Sequence, residues 1–415
     1  MNNNVYLRQT DKFSQMLFRV LIVLIWTQNT VLGFVSEVIE RLPLVGLLAP
    51  MFIPTLMILL IVLSHQHIFK YIKSIDVLLY LCVVLVTIGS IVFCKMNSSH
   101  VEAITFDFLI LTFPMYFIGL SFNIEESKTD LFWASLASVL ATMAYQFYYI
   151  YSGREFDGNS SMHTAYWLLP STLYLVAYAM NHKQKIYFLL AIISSACMLL
   201  FGSRGPVLAL VIFWVLCIFK ELISMKSKSV KVLYILLISI CLFMVFHKDN
   251  FLNILESISE FVGNLGFHTR IFDYLIEENI ADNSGRSALH NVVIQKIFEN
   301  PLFGYGMMSD RIFINELQNF NGINVSAYVH NLFLEIYCHW GLLLGTLILS
   351  VIILRPIKSL FVCKSKEKFY FILMLICCVF VKLFVSGSYL YEANLYFLLG
   401  IATNRVTKRN EPVLS

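Results

Sequence analysis

Twelve apolar runs of roughly 16 to 24 residues dominate this chain, near 14–35, 43–64, 77–94, 105–122, 131–151, 165–181, 186–201, 206–224, 232–247, 331–354, 369–386 and 387–403. At 1.5 Å per residue, a helix of about 20 residues crosses the ~30 Å hydrocarbon core of a bilayer. Inside that core only a helix or a closed barrel satisfies every backbone group. These runs are continuously apolar, without the two-residue alternation of a barrel strand. With 58% hydrophobic and 13% charged residues over 415 positions, a soluble domain could not clothe its surface. The chain is therefore expected to be an all-α integral membrane protein with about twelve transmembrane helices. The first run holds Arg19, Gln28 and Asn29 and has no small-residue cleavage site, so it reads as an uncleaved signal anchor.

Lys and Arg are strongly biased between alternate connections. Nineteen fall on the side of the N-terminus: Arg8, Lys12, Lys70, Lys73, Lys128, Lys183, Lys185, Lys220, Lys226, Lys228, Lys231, Arg355, Lys358, Lys364, Lys366, Lys368, Arg405, Lys408 and Arg409. The short loops opposite hold Arg41, Lys95, Arg154 and Arg204. Positive charge is retained in the cytoplasm, which predicts that both termini are cytoplasmic. The same parity puts the one long connection, residues 248–330, on the outer face. The expected organisation is nine spans over 1–247, a large periplasmic loop over 248–330, and spans ten to twelve with a cytoplasmic tail over 331–415. Within the loop, FLNILESISEFV and RSALHNVVIQKIF repeat apolar residues every three to four positions and predict short amphipathic helices.

Most soluble-enzyme chemistries are excluded by what the chain lacks. It has no phosphate-binding glycine loop, no dinucleotide fingerprint, no HExxH pair and no long internal repeat. Eight of its nine cysteines lie in expected spans and Cys363 in a cytoplasmic loop, which implies neither a disulfide framework nor a CxxC metal site. The net charge of +4 follows the topology and does not point to nucleic acid. No metal or cofactor is expected.

Three outer-face segments remain. GSRGP, residues 202–206, puts Arg204 between two spans, where glycines allow close approach and positive charge is disfavoured. SGRSALHNVVIQKIFENPLFGYG, residues 284–306, opens a helix at Arg286 and ends it before Pro301. YVHNLFLEIYCHWGLLLG, residues 328–345, sets His330 at the mouth of the tenth span. Each has a plain structural alternative. An interfacial arginine anchors topology or headgroups. His330 beside Asn331 belongs to a helix cap. Glu335 and His339, one turn apart, satisfy each other.

Together and in this order, GSRGP, the GR with NPLFGYG, and VHNLFLE ahead of WGLLLG resemble the O-antigen polymerase and O-antigen ligase superfamily of bacterial envelope enzymes, over about residues 190–350. The resemblance implies a GT-C-like arrangement of helices roofed by the periplasmic loop, and a seat in the bacterial inner membrane with the active site facing the periplasm. It implies glycan transfer from an undecaprenyl-diphosphate-linked oligosaccharide, without metal or nucleotide sugar. Arg204, from SRG, and Arg286, from GR, are then expected to bind the diphosphate. Arg270, in GFHTRIFDYL, is a third candidate without a motif match. His330 is expected to be the base that deprotonates the acceptor hydroxyl, with Glu335 or Asp310 as substitutes. Membrane lipid is an expected partner, and a chain-length regulator is left open as another. VHNLFLEIYCHWG and GSRGP look more like the polymerase branch, with ligation to lipid A core as the alternative. A secondary transporter using Arg19, Asp107, Glu335 and Lys382 is a third reading, opposed by unequal halves: no counterpart of the 248–330 loop follows span three.

Overall fold

The structure is a computed structural model that describes residues 2–35, 49–93, 104–151, 158–200, 203–224, 248–264, 286–318 and 328–404. Every regular element among them is helical: α1 (Asn2–Thr27), α2 (Ala49–Leu63), α3 (His65–Phe69), α4 (Ser74–Phe93), α5 (Met115–Ser121), α6 (Ile124–Tyr151), α7 (Gly158–His182), α8 (Lys185–Leu199), α9 (Arg204–Ser224), α10 (Lys248–Asn264), α11 (Arg286–Glu299), α12 (Ser309–Gln318), α13 (Leu332–Val362), α14 (Lys366–Val385) and α15 (Ala393–Thr403), with π-helical turns at Gln28–Leu32 and Phe108–Thr112.

Five described segments are long and apolar enough to cross a membrane: Lys12–Val35, Ile104–Ser121, Arg204–Ile223, Leu332–Val362 and Lys366–Val385. Shorter apolar helices cover Pro54–Leu63, Ser74–Ser90, Lys185–Leu199 and Ala393–Thr403. The run expected at 232–247 lies outside the described residues. The run expected at 387–403 is helical only from Ala393, because residues 387–392 form turns whose polar groups enter a buried network described below. The two amphipathic stretches expected in the outer loop are helices α10 and α11, and α12 adds a third.

Two compact units divide the chain. The first comprises Met1–Phe18, Leu63–Ile124 and Asn283–Ser415, and the second Arg19–Val62 and Glu125–Asp282. In the first unit, α5 packs on α15 through Gly119 and Gly400. A Cβ on Gly119 would lie 2.3 Å from the Phe397 carbonyl oxygen, and one on Gly400 2.2 Å from that of Tyr116. Only hydrogen permits backbones this close, as at many membrane helix contacts. Phe122 fills the space beside them, stacked on Phe371 at 5.2 Å and edge-on to Phe397 at 5.3 Å. Asp76, buried on α4, accepts from the Tyr116 hydroxyl at 2.9 Å.

In the second unit, Arg19 grips Asp130 through two parallel bonds of 2.6 and 2.9 Å, the bidentate geometry a guanidinium favours. Thr30 reaches Ser138 at 2.8 Å and Trp26 donates to Ser135 at 2.9 Å, so one face of α6 is held along its length. Lys183 pairs with Glu221 at 2.7 Å.

Candidate active site

In the first unit the site begins where α13 fails as a continuous helix. Gly341 has φ 65° and ψ −179°, which splits the element into 332–340 and 342–362. A side chain is strained at that φ, so the glycine of WGLLLG is required. The break unpairs backbone groups, and the turn after Pro301 takes them up. Tyr305 N–H donates to the Cys338 carbonyl and Gly306 N–H to that of His339, both at 2.9 Å, while Leu342 N–H donates to the Pro301 carbonyl at 2.7 Å. Gly304, itself at φ 69°, lies against Gly341 so tightly that its Cβ would come 2.5 Å from the Gly341 nitrogen. The glycines of NPLFGYG and WG are therefore the two halves of one backbone joint. Asn300 closes the turn by donating from Nδ2 to the Gly304 carbonyl at 2.6 Å.

A buried ionic network surrounds this joint. Arg311, on α12, is 1% exposed, and its Nη1 lies 3.0 Å from Asp310 Oδ1 and 3.4 Å from Glu335 Oε1. Its Nη2 donates to Ser388 Oγ at 3.1 Å, and the Ser388 hydroxyl donates to Glu335 Oε1 at 2.5 Å. Tyr389 N–H completes Glu335 at Oε2, 3.2 Å away. The rings of Tyr328 and Tyr391 stand 5.3 and 5.8 Å from the guanidinium carbon. Burial alone would push the Asp310 carboxyl up, but the charges of Arg311 and His339, with the His339 and Val329 hydrogen bonds, outweigh it and hold Asp310 well below the usual carboxylate range. Burial would lower the Arg311 guanidinium, yet Asp310 and Glu335 raise it above its ordinary value. Asp310 is thus a fixed anion.

His339 Nε2 lies 2.7 Å from Asp310 Oδ1, and with that carboxylate ionised it is the donor. The Met308 N–H points at the same nitrogen from 3.1 Å. The Tyr389 hydroxyl, which accepts from Trp340 Nε1 at 3.0 Å, lies 2.8 Å from His339 Nδ1. Glu335 and His339 were expected to satisfy each other. Each is instead held by groups remote in sequence, since the loops packed over α13 offer better-aligned partners than the next turn does.

The network reaches His330 through its neighbour. Asp310 Oδ2 accepts Val329 N–H at 3.2 Å, and His290 Nε2 binds the Val329 carbonyl at 3.0 Å, so both backbone groups before His330 are fixed. Asn331 is the helix cap, with its side chain accepting from Phe333 N–H at 3.0 Å and Leu334 N–H at 3.2 Å. His330 does no capping. It stands at φ 53°, left-handed and uncommon for a side-chain-bearing residue. Its ring is 4.1 Å from that of Tyr328. Tyr328 donates to the Ser386 carbonyl at 2.5 Å, and Arg286 Nη1 donates to the Val385 carbonyl at 2.6 Å, so both meet His330 at the C-terminal end of α14. Burial and then the Arg286 charge push His330 down to about 4, against a smaller upward pull from the Ser386 backbone and Asp310. His330 Nδ1 is buried without a hydrogen-bond partner among the described residues. A neutral imidazole is what this surrounding holds.

The first unit thus brings His330 and Arg286 together. Asp310 and Glu335, the substitute bases, are buried in ion pairs instead. Arg204 opens α9 in the second unit, partly buried. Its neighbour Gly205 is buried where a Cβ would meet the Tyr166 hydroxyl at 1.9 Å, so the glycine makes room for a tyrosine within the unit, where an approach of ligand was expected. Arg270 lies outside the described residues. Tyr328, Arg311, Ser388 and Tyr389 were not singled out in the sequence; the one signal for Arg311 is an acid–base pair, Asp310–Arg311, at the start of a short amphipathic helix. Asp310, Glu335 and His339 each bring one donor atom within 4.8 Å of the others, a spacing that suits a cation, but Arg311 already lies against both carboxylates as their counter-charge.

Residues 189–349 match the family model of the O-antigen ligases. The matched stretch runs from α8 through the first part of α13, contains Arg204, Arg286 and His330, and supports the O-antigen ligase/polymerase superfamily. No curated protein matches the chain.

Truncating Asp310 would leave the Arg311 guanidinium buried beside an incomplete set of anions. Asp310→Ala is expected to lower unfolding free energy by about 3–5 kcal/mol, whereas Asn331→Ala removes one cap and costs about 1 kcal/mol. Denaturant or thermal unfolding in detergent measures both, and equal small losses would contradict the ionic network.

Proposed function

We propose that this protein is a surface-polysaccharide polymerase, a membrane glycosyltransferase that joins glycan from one undecaprenyl-diphosphate carrier to the non-reducing end of another lipid-linked repeat unit. The observation that carries the reading is His330: released from capping by Asn331, kept neutral by burial and Arg286, and lying inside the stretch that matches the O-antigen ligase family. In this reading the acceptor hydroxyl attacks the anomeric carbon, its proton passes to the His330 imidazole, and the bond from that carbon to the phosphate oxygen breaks with inversion. The diphosphate departs as an anion. Arg286 binds and stabilises it, the planar fork matching phosphate oxygens in pairs. The site faces the periplasm and both termini the cytoplasm, as the charge bias of the connections supports. Ligation of the same donor to lipid A core is the second reading, favoured by the description of the matched family. The transporter reading loses support because Arg19, Glu335 and Lys382 are all paired, with Asp130, Arg311 and Glu392.

Lipopolysaccharide from a deletion strain separates the readings on a gel. One repeat unit on each core is expected for a polymerase; unmodified core with polymer retained on the carrier would make it a ligase.

The low proton affinity of His330 has a sign that can be checked. Its folded value of about 4 lies below the ordinary 6.5, so the neutral base persists as pH falls until about 4. An unfolded histidine takes up its proton near 6.5, so the stability His330 contributes is complete above that pH and is lost as pH falls toward 4. The acid limb of kcat/KM is expected near pH 4, and Arg286→Gln should move it upward by removing the nearby cation. A limb already near 6.5 in the native protein, unmoved by that substitution, would contradict the assignment.

A further inference from the structure

The joint between the Pro301 turn and Gly341 also fixes how deep the turn lies. Leu342, whose amide bonds the Pro301 carbonyl, is ten residues from the start of an apolar helix that meets its first cation at Arg355. Thirteen residues separate Leu342 from Arg355, about 20 Å of helix. A hydrocarbon core of ~30 Å measured from Arg355 therefore extends about 10 Å beyond the joint. Met307 N–H, at the other end of the turn, donates to Ser90 Oγ on the apolar helix α4 at 2.6 Å. The turn is thus hydrogen-bonded to two apolar helices.

Its outward side chains match that depth. Phe303 is 75% exposed and Leu302 50%, beside Leu343 at 64% and Leu347 at 62% on α13. Large apolar groups in such density are not left facing water. On the helix before the turn Lys296 and Glu299 pair at 2.7 Å, and the Tyr305 hydroxyl donates to the same carboxylate at 3.3 Å. Non-helical backbone at membrane depth survives only where other protein groups satisfy it; here the Pro301 carbonyl accepts from Leu342 N–H, and Asn300 takes both Gly304 groups, its carbonyl accepting Gly304 N–H and its side chain donating to the Gly304 carbonyl.

We infer that residues 301–304 form a re-entrant turn that enters the bilayer hydrocarbon, with Leu302 and Phe303 in contact with lipid acyl chains. The outer loop is then seated in the membrane at its turn, next to the helix that begins beside His330. This holds whichever reaction the protein performs.

A diazirine-bearing phenylalanine in place of Phe303, in the full chain reconstituted into phosphatidylethanolamine and phosphatidylglycerol vesicles free of polyprenyl lipid, tests it. After illumination, peptides carrying position 303 should bear phospholipid adducts to an extent within about twofold of the same probe at Leu347. The probe at exposed Glu316 on α12 should give at least several-fold fewer. The probe at Leu302 repeats the measurement should the first variant insert poorly. Lipid adducts at 303 no more frequent than at 316, or adducts chiefly to water, to other segments of the chain or to a second copy, would overturn the inference.

Discussion

A guanidinium withdrawn from water is tolerated only when anions and hydrogen-bond acceptors replace its hydration shell. Arg311 meets that requirement at its two Nη atoms with Asp310, Glu335 and Ser388, while Nε has no hydrogen-bond partner among the described residues, and in doing so it joins three pieces of chain far apart in sequence: α12, the start of α13, and the turn before α15. Asp310 passes the constraint on, by its second oxygen, to the Val329 amide beside His330. The orientation of the proposed base is therefore set by a buried ionic cluster beside it, and the loop is part of that cluster.

The second constraint is steric. Gly304 and Gly341 let the backbone of the Pro301 turn lie directly on the broken α13 and take over the hydrogen bonds that the break releases. Together the ionic cluster and the glycine joint hold the half-helix 332–340 between the loop and the rest of the first unit. His330 sits at its mouth, on the open side of the Asn331 cap. Placing the base at a left-handed residue just outside the helix keeps its ring off the capping bonds, and burial, with Arg286 bonded at the adjoining end of α14, keeps it neutral.

What the sequence disclosed follows from which forces are local. Long apolar runs with few charges announce helices at membrane length, and Pro301 after an amphipathic stretch marked the end of α11. His330 and Arg286 stood out as polar groups in motifs that the charge bias puts on the outer face. Gly341 was visible as a glycine in an apolar run, but hydropathy reads straight through it, because a single φ leaves no periodic trace. Glu335 and His339 were expected to pair on the strength of i,i+4 spacing, a weak preference of a few tenths of a kcal/mol that better-placed tertiary partners override. Arg311 had no local signature beyond an adjacent aspartate. Its other side-chain hydrogen-bond partners lie 24 and 77 residues away, so its burial is a property of the fold.

The central claim is that His330 serves as a base and not as part of a helix cap. His330→Asn tests it most directly, because asparagine caps helices well and tolerates the left-handed conformation, yet cannot accept a proton near neutral pH. Purified variant and native protein would be given an undecaprenyl-diphosphate glycan, with transfer read from product length and donor binding measured separately. Unchanged unfolding and donor binding, with transfer reduced by about 10²–10⁴-fold, is the expected result; near-native transfer would return His330 to a structural role.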